Sequence, residues 1–145
     1  MAYDQLRLDN QLCFRLYTAA RLITSCYTPF FKEFGITYPQ YLVLMILWEK
    51  DNRLIGDITE TLKLETNTIT PLIQRMEKQG LVMRQKGKAD SRQKIVSLTE
   101  KGWQLQEQVK EIPECLVSNL AQNGLSIEEL SGLAPLLDKL IDAIQ

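Results

Sequence analysis

The sequence predicts a mainly helical protein that carries one small β-hairpin. Three observations predict it. Apolar residues recur at three- and four-residue steps along most of the 145 residues, the pattern of helices that bury one face. The period changes to two only after Gly80, where Leu81, Met83 and Gln85 alternate with Val82, Arg84 and Lys86, as in a strand. Charge is also segregated along the chain. Residues 1–52 carry five basic and five acidic groups, residues 53–98 nine and five, and residues 99–145 three and eight.

The elements follow in order. From about Leu6 to Phe34 the pattern is helical, with Leu12, Leu16, Ala19, Ala20 and Ile23 in step and a kink or break expected at Pro29. Gly35 is a natural stop. Thr37 reads as the N-cap of a second helix with Pro39 near its start. Its body, Tyr41 to Trp48, is apolar nearly all round, which predicts the buried centre of the fold. Ile55, Ile58 and Leu62 then form a short helix, and Lys63 to Glu65 a tight connection. The next helix, about Thr66 to Gln79, carries Ile69, Leu72, Ile73 and Met76 on one face. Pro71 argues for a late start, near Thr68, and Gly80 is its expected C-terminal cap.

After Gly80 a two-stranded hairpin is expected, resuming at Lys94 to Leu98 beyond a Gly-Lys-Ala-Asp-Ser tip. Thr99 starts a further helix that Pro113 interrupts. Ser126 and Glu129 form a capping box for the last helix. There Leu130, Leu133, Leu137, Leu140 and Ile144 repeat as the seam of a helix–helix contact.

Composition excludes several chemistries. There is no histidine, which removes the commonest general base and metal ligand. Cys13, Cys26 and Cys115 include no CxxC pair, so zinc and iron–sulfur spacings are missing and no metal or cofactor is expected. The odd number argues against an internal disulfide scaffold. The longest apolar run has eight residues, far short of the ~20 that span a bilayer, and no secretory leader pattern opens the chain. A cytoplasmic protein with no membrane partner is expected, its 145 residues fitting one domain.

A helix, a tight turn, a second helix with a polar outer face and a basic hairpin make a winged helix-turn-helix, here over about residues 53–98. Residues 1–35 and 99–145 are then the helical region that pairs two chains. From Gln74 to Lys94 seven basic residues face only Glu77 and Asp90, the local excess that phosphate binding requires. Double-stranded DNA is the expected partner. Core packing explains the apolar face of the second helix but not its polar and basic outer face.

The segment DSRQKIVSLT, Asp90 to Thr99, resembles the wing signature of the MarR family of winged helix-turn-helix regulators, and the likeness extends over nearly the whole chain. LDNQLCFRLY (Leu8 to Tyr17), Tyr27 and ITYPQYL (Ile36 to Leu42) resemble the organic hydroperoxide resistance regulators of that family. The resemblance implies a homodimeric transcription regulator, not an enzyme, that binds a near-palindromic operator. It implies a reduced thiol at Cys13 that permits DNA binding and whose oxidation by an organic hydroperoxide releases the DNA. Tyr17, Tyr27 and Tyr38 match the tyrosines that surround the sensor thiol. Some relatives resolve the oxidised cysteine with a second one from the partner chain, and Cys115 lies in the matching region, about one helical turn early. Capture by a small cellular thiol is the alternative.

Spacing agrees with this assignment. Tyr17 lies one turn after Cys13 on one helix face. Tyr27 is roughly 21 Å further along a continuous helix, so it reaches only the thiol of the other chain. Phenolic donors to a sulfur favour the thiolate, the species that attacks a peroxide, while a charged Asp9 works against it. Cys26, about 20 Å from Cys13 along the same helix, cannot close an intrachain disulfide and reads as packing.

At the DNA, Thr68, Thr70, Gln74 and Arg75 are expected nearest bases or phosphates in the major groove. Lys78, Arg84 and Lys86 are expected at the backbone. Arg92 is expected in the minor groove, oriented by Asp90. An inverted repeat with half-sites about 34–36 Å apart is expected for a dimer. Three rivals remain open from sequence. One is a relative released by a small phenolic or drug-like ligand, with Cys13 incidental. The others are a thiol peroxidase and a winged-helix module that does not bind DNA.

Overall fold

The computed structural model describes residues 3–145. They fall into two compact units that divide after Val109.

The first unit opens with two 3-10 turns, Asp4–Leu6 and Leu8–Asn10. The side-chain amides of Asn10 and Gln11 donate back to the carbonyls of Asp4 (2.8 Å) and Gln5 (2.7 Å). These bonds fold the entry segment against the helix start. Helix α1 therefore begins at Leu12 rather than Leu6, and it ends at Ser25. A separate short helix, α2 (Thr28–Lys32), follows. Pro29 lies in its first turn, where a missing N–H removes no helical bond, so the proline starts a helix instead of kinking one. Gly35, at φ +67°, turns the chain out of α2, and the Ile36 N–H donates to the Phe31 carbonyl across it (3.2 Å).

Helix α3 (Tyr38–Glu49) is capped by Thr37 in a reciprocal capping box with Gln40. It buries Tyr41, Val43, Leu44, Ile46 and Leu47, which confirms it as the centre of the core. A two-residue strand, β1 (Arg53–Leu54), leads into α4 (Ile55–Leu62). Lys63 then takes the left-handed conformation at φ 56°, and α5 runs from Thr66 to Lys78.

Two expectations are corrected here. Helix α5 starts at Thr66, ahead of the late start expected from Pro71, which sits in its second turn. The proline has no N–H for the Asn67 carbonyl, and Asn67 is exposed, so water can take that acceptor. The sheet also has three strands, not two. β2 (Val82–Lys86) and β3 (Lys94–Leu98) form the expected hairpin, and β1 joins the far edge of β3 antiparallel, in the order β1-β3-β2. Arg53 pairs with Val96 and Leu54 with Ile95. A strand of two residues has no period to read.

Helix α6 (Glu100–Val109) packs against β3 and α3. The Thr99 hydroxyl accepts from the Gly102 N–H (3.1 Å), an N-cap bond that sets the entry. Gly102 sits directly over the Leu81 carbonyl and the Leu98 side chain, and the Trp48 indole donates to its carbonyl (3.0 Å). In the second unit, α7 (Ile112–Gln122) has Pro113 in its first turn, and α8 (Ile127–Ile144) begins with the expected Ser126–Glu129 capping box. Leu133, Leu136, Leu137, Ile141 and Ile144 of α8 are exposed. Among the described residues no helix is long and apolar enough to cross a membrane.

Candidate functional site

The polar outer face of α5 exists because its apolar residues all turn inward: Ile69, Leu72, Ile73 and Met76 are buried. Thr68, Gln74, Arg75 and Lys78 are consequently exposed, with Thr70 half-buried. Beside the start of this helix lies an open groove of about 460 Å³. Thr66 and Thr70 line one side, and Arg84, Arg92 and Lys94 the other. The structure thus brings Thr70, Arg84 and Arg92 to one groove. Thr66 and Lys94 belong to the same surface and were not singled out from sequence. From sequence Lys94 reads as a strand start and one charge of the basic run.

Two ion pairs hold this surface in shape. The Glu77 carboxylate accepts from the Arg84 backbone N–H (3.2 Å), Nε (3.3 Å) and Nη2 (3.1 Å), which clamps α5 to β2. The Arg84 side-chain hydrogen bond is the main reason the Glu77 carboxyl lies below its ordinary value. Arg84 is therefore a strut as well as a candidate phosphate contact. In the tip, Asp90 accepts from the Arg92 backbone N–H (2.9 Å), from its Nε (3.2 Å) and from its Nη2 (3.4 Å). The backbone bond first, and the guanidinium second, hold the Asp90 carboxyl below its usual range. The Arg92 side chain remains 90% exposed, aimed by Asp90 but not hidden by it. Lys86 and Lys94 stand directly opposite each other across β2 and β3. Like charges in that position repel, so the tip end of the hairpin favours an anion.

A second cleft, of about 540 Å³, lies at the other end of α5. It is lined by Arg75 and Lys78 together with Gly35, Thr37, Gln40 and Gln79.

The thiol region comes from the same unit. Cys13 is exposed and is the second residue of α1. Tyr17, one turn on, is 69% exposed. Tyr27 and Tyr38 are brought together elsewhere, with ring centroids 5.1 Å apart, in a cluster that includes Phe31 and the buried Tyr41. Burial raises the pKa of Tyr27, Tyr38 and Tyr41, and mutual proximity adds to this for Tyr27 and Tyr41. Tyr27 lies beyond the end of α1, so the continuous-helix measure to Cys13 does not hold to its end. From Cys13 to Ser25 the helix alone still covers about 18 Å. Cys26 does not pack into its own chain: it is exposed, and its thiol donates to the Leu22 carbonyl (3.3 Å). Cys115 is exposed in the first turn of α7. Among the described residues no group of His, Cys, Asp or Glu is placed to hold a metal ion.

A helix-turn-helix packed on a three-stranded antiparallel sheet with a basic hairpin defines a winged-helix protein. Residues 25–109 match the family model of the SarA/Rot transcriptional regulators. The organic hydroperoxide resistance transcriptional regulator of Bacillus subtilis is 40% identical over 139 residues, 95% of each chain. The structure of reduced AbfR bound to DNA, a protein of Staphylococcus epidermidis, superposes with a TM-score of 0.79 at 38% identity. It covers 98% of this chain and 96% of that one. Disulfide-formed AbfR superposes with a TM-score of 0.69 at 39% identity, over 96% and 95%. The chain belongs to the SarA/Rot family of MarR-like winged-helix transcriptional regulators, a family of regulators and not of enzymes.

Proposed function

We propose that this regulator is a homodimer that grips an inverted-repeat operator and lets go when an organic hydroperoxide oxidises Cys13. The observation that carries the reading is the exposed Cys13 thiol in the first turn of α1, one turn from Tyr17. It stands in a chain that is 40% identical to a regulator of organic hydroperoxide resistance. Helix α5 reads the major groove through Thr68, Thr70, Gln74 and Arg75, while Lys78, Arg84 and Lys86 hold phosphates. Arg92, aimed by Asp90, enters the minor groove. DNA-bound AbfR supports the partner. The exposed apolar residues of α1 (Leu12, Phe14, Leu22, Ile23) and α8 support the dimer, because monomers seldom expose such stripes.

In the chemistry, the Cys13 thiolate attacks one peroxide oxygen and the O–O bond breaks. The alkoxide leaves and takes a proton as the alcohol, and sulfur becomes a sulfenic acid. The Tyr27 and Tyr38 hydroxyls, whose pKa is raised, stay protonated donors at neutral pH and serve the thiol of the other chain. The thiolate of Cys115 of the partner subunit then attacks the sulfenic sulfur, the S–O bond breaks and hydroxide leaves, taking a proton from solvent to become water, which gives an intersubunit disulfide. Disulfide-formed AbfR supports this step.

The test is fluorescence anisotropy with labelled DNA from upstream of the protein's own gene. Wild type and Cys13→Ser are compared before and after one equivalent of cumene hydroperoxide. Wild type alone should lose at least tenfold in affinity, and a thiol reductant should restore it. A Cys13→Ser protein that also lets go makes Cys13 incidental and favours a ligand-released regulator. Absence of a cross-linked dimer on a non-reducing gel, with release intact, replaces Cys115 by a small thiol.

A further inference from the structure

Gln40 and Ser97 are the buried polar side chains of the described core, and Gln40 spends its amide on a closed ring of bonds. Its Oε1 accepts from the Thr37 N–H (3.1 Å), the second half of the α3 capping box. Its Nε2 donates to Gln79 Oε1 (3.0 Å), and Gln79 Nε2 donates to the Gly35 carbonyl (2.6 Å). The ring thus runs from Gly35 through Gln79 and Gln40 to Thr37, two residues from where it began. Gln79 is the C-cap of α5. Its own carbonyl accepts from Lys101 Nζ (2.8 Å), which pins it to α6 as well.

The ring joins the two parts of the molecule that the proposed function requires to communicate. Tyr38 lies between Thr37 and Gln40, and its ring meets Tyr27 and Tyr41. At the other end, Gln79 closes the helix that carries Gln74, Arg75 and Lys78. The apolar contacts between α3 and α5 are non-directional. Hydrogen bonds are not: they are lost within about half an ångström beyond a 3.0 Å separation. A shift of the Tyr38 segment must therefore break this ring or carry the end of α5 with it. Gln40 is buried with both amide ends engaged, so it cannot swivel to a new partner without leaving a polar group unpaired, whereas water can replace the exposed Gln79–Gly35 bond.

We propose that Gln79 is a positioning residue that couples the tyrosine-bearing α2–α3 junction to the recognition helix, so that a displacement beside Tyr38 is delivered to α5 as a change of its angle. This rests on the redox reading above.

The experiment measures the ratio of oxidised to reduced Kd for operator DNA in wild type, Gln79→Met and Gln40→Met, with Cys13 oxidation quantified by intact mass. Methionine keeps length and volume and removes both amide ends. A purely structural role lowers Tm, or weakens both redox states equally, and leaves the ratio alone. The expected result is a ratio at least threefold smaller in either variant at equal Cys13 oxidation. If Gln79→Met fails to fold, Gln79→Glu retains the acceptor for Gln40, loses the donor to Gly35, and is read by the same ratio. An unchanged ratio in a folded Gln79 variant overturns the relay while the redox reading stands. A wild-type ratio near one overturns both.

Discussion

Asp90 shows how much a single side chain contributes at the tip of the hairpin. Arg92 is free to sweep a wide volume, and an arginine that must enter a groove loses about 2 kcal/mol of rotamer freedom. Two side-chain bonds to Asp90 restrict it beforehand, and a third from its backbone N–H fixes the turn. Because the Asp90 carboxyl is held below its ordinary value, the arrangement persists at any pH above the usual carboxylate range. Arg92→Ala should weaken operator binding and reduce the salt slope of log K by about 1 per lost phosphate contact. Asp90→Asn should weaken binding while leaving that slope nearly unchanged, since no cation is lost. Anisotropy titrations at three salt concentrations separate the two. The tyrosines allow a second residue-level check. Burial holds Tyr27, Tyr38 and Tyr41 in their neutral form, so the folded protein should resist ionisation of three of its five tyrosines. The unfolded chain ionises near pH 10, so it releases protons there that the folded chain keeps. Stability should therefore fall as pH rises above 10, and absorbance at 295 nm should show a late ionising class that denaturant abolishes.

Among the elements, what could be read from sequence was what local residues decide. Thr37 and Ser126 announce helix starts because a cap is a contact within four residues. The hairpin is legible because its period and its polar tip are local too. Strand β1 and the Gln40–Gln79 bond were not legible. Each depends on what stands opposite in space, and Gln79 lies 39 residues from its partner. The Thr37-x-x-Gln40 spacing did contain half of that ring, as a capping box. Sequence brought Cys13 and Tyr17 together correctly on one helix and marked a break at Pro29, but it began α1 too early because Asn10 and Gln11 act on the backbone through non-periodic bonds. Two element-level substitutions follow. A Cβ at Gly102 would run into the Leu81 carbonyl and lie 2.9 Å from Leu98 Cδ2. Gly102→Ala should thus cost about 1–3 kcal/mol, the usual range for overpacking, read by urea denaturation. Glu77→Gln should cost less, ~0.5 kcal/mol, because the pair is partly exposed. The Glu77 carboxyl is lowered in the folded state. Its stabilisation is complete above the unfolded value of about 4.3 and is lost as pH falls through the folded one. The variant's deficit should vanish in acid.

At the scale of the whole molecule, the near-zero net charge of −1 conceals a basic winged region and an acidic C-terminal segment. A sequence pI of about 5.5 is no obstacle to DNA binding, because phosphates meet the local field and not the total. The charge of residues 99–145 is so unfavourable to DNA that this region is better suited to holding two copies together. Its exposed leucines on α8 fit that role. Substituting aspartate for Leu137, which is 38% exposed in the single chain, should disturb little within one copy yet place a charge in the proposed seam. Leu137→Asp is expected to sediment as a monomer at micromolar concentration while keeping its helical circular dichroism. A monomer presents one basic surface instead of two. The slope of log K against log salt should then fall by about half, since it scales with the number of phosphates neutralised. Loss of Arg75 alone should trim that slope without altering sedimentation. Should Leu137→Asp remain dimeric with an unchanged slope, the α8 stripe is not what joins the copies, and the exposed residues of α1 become the place to look.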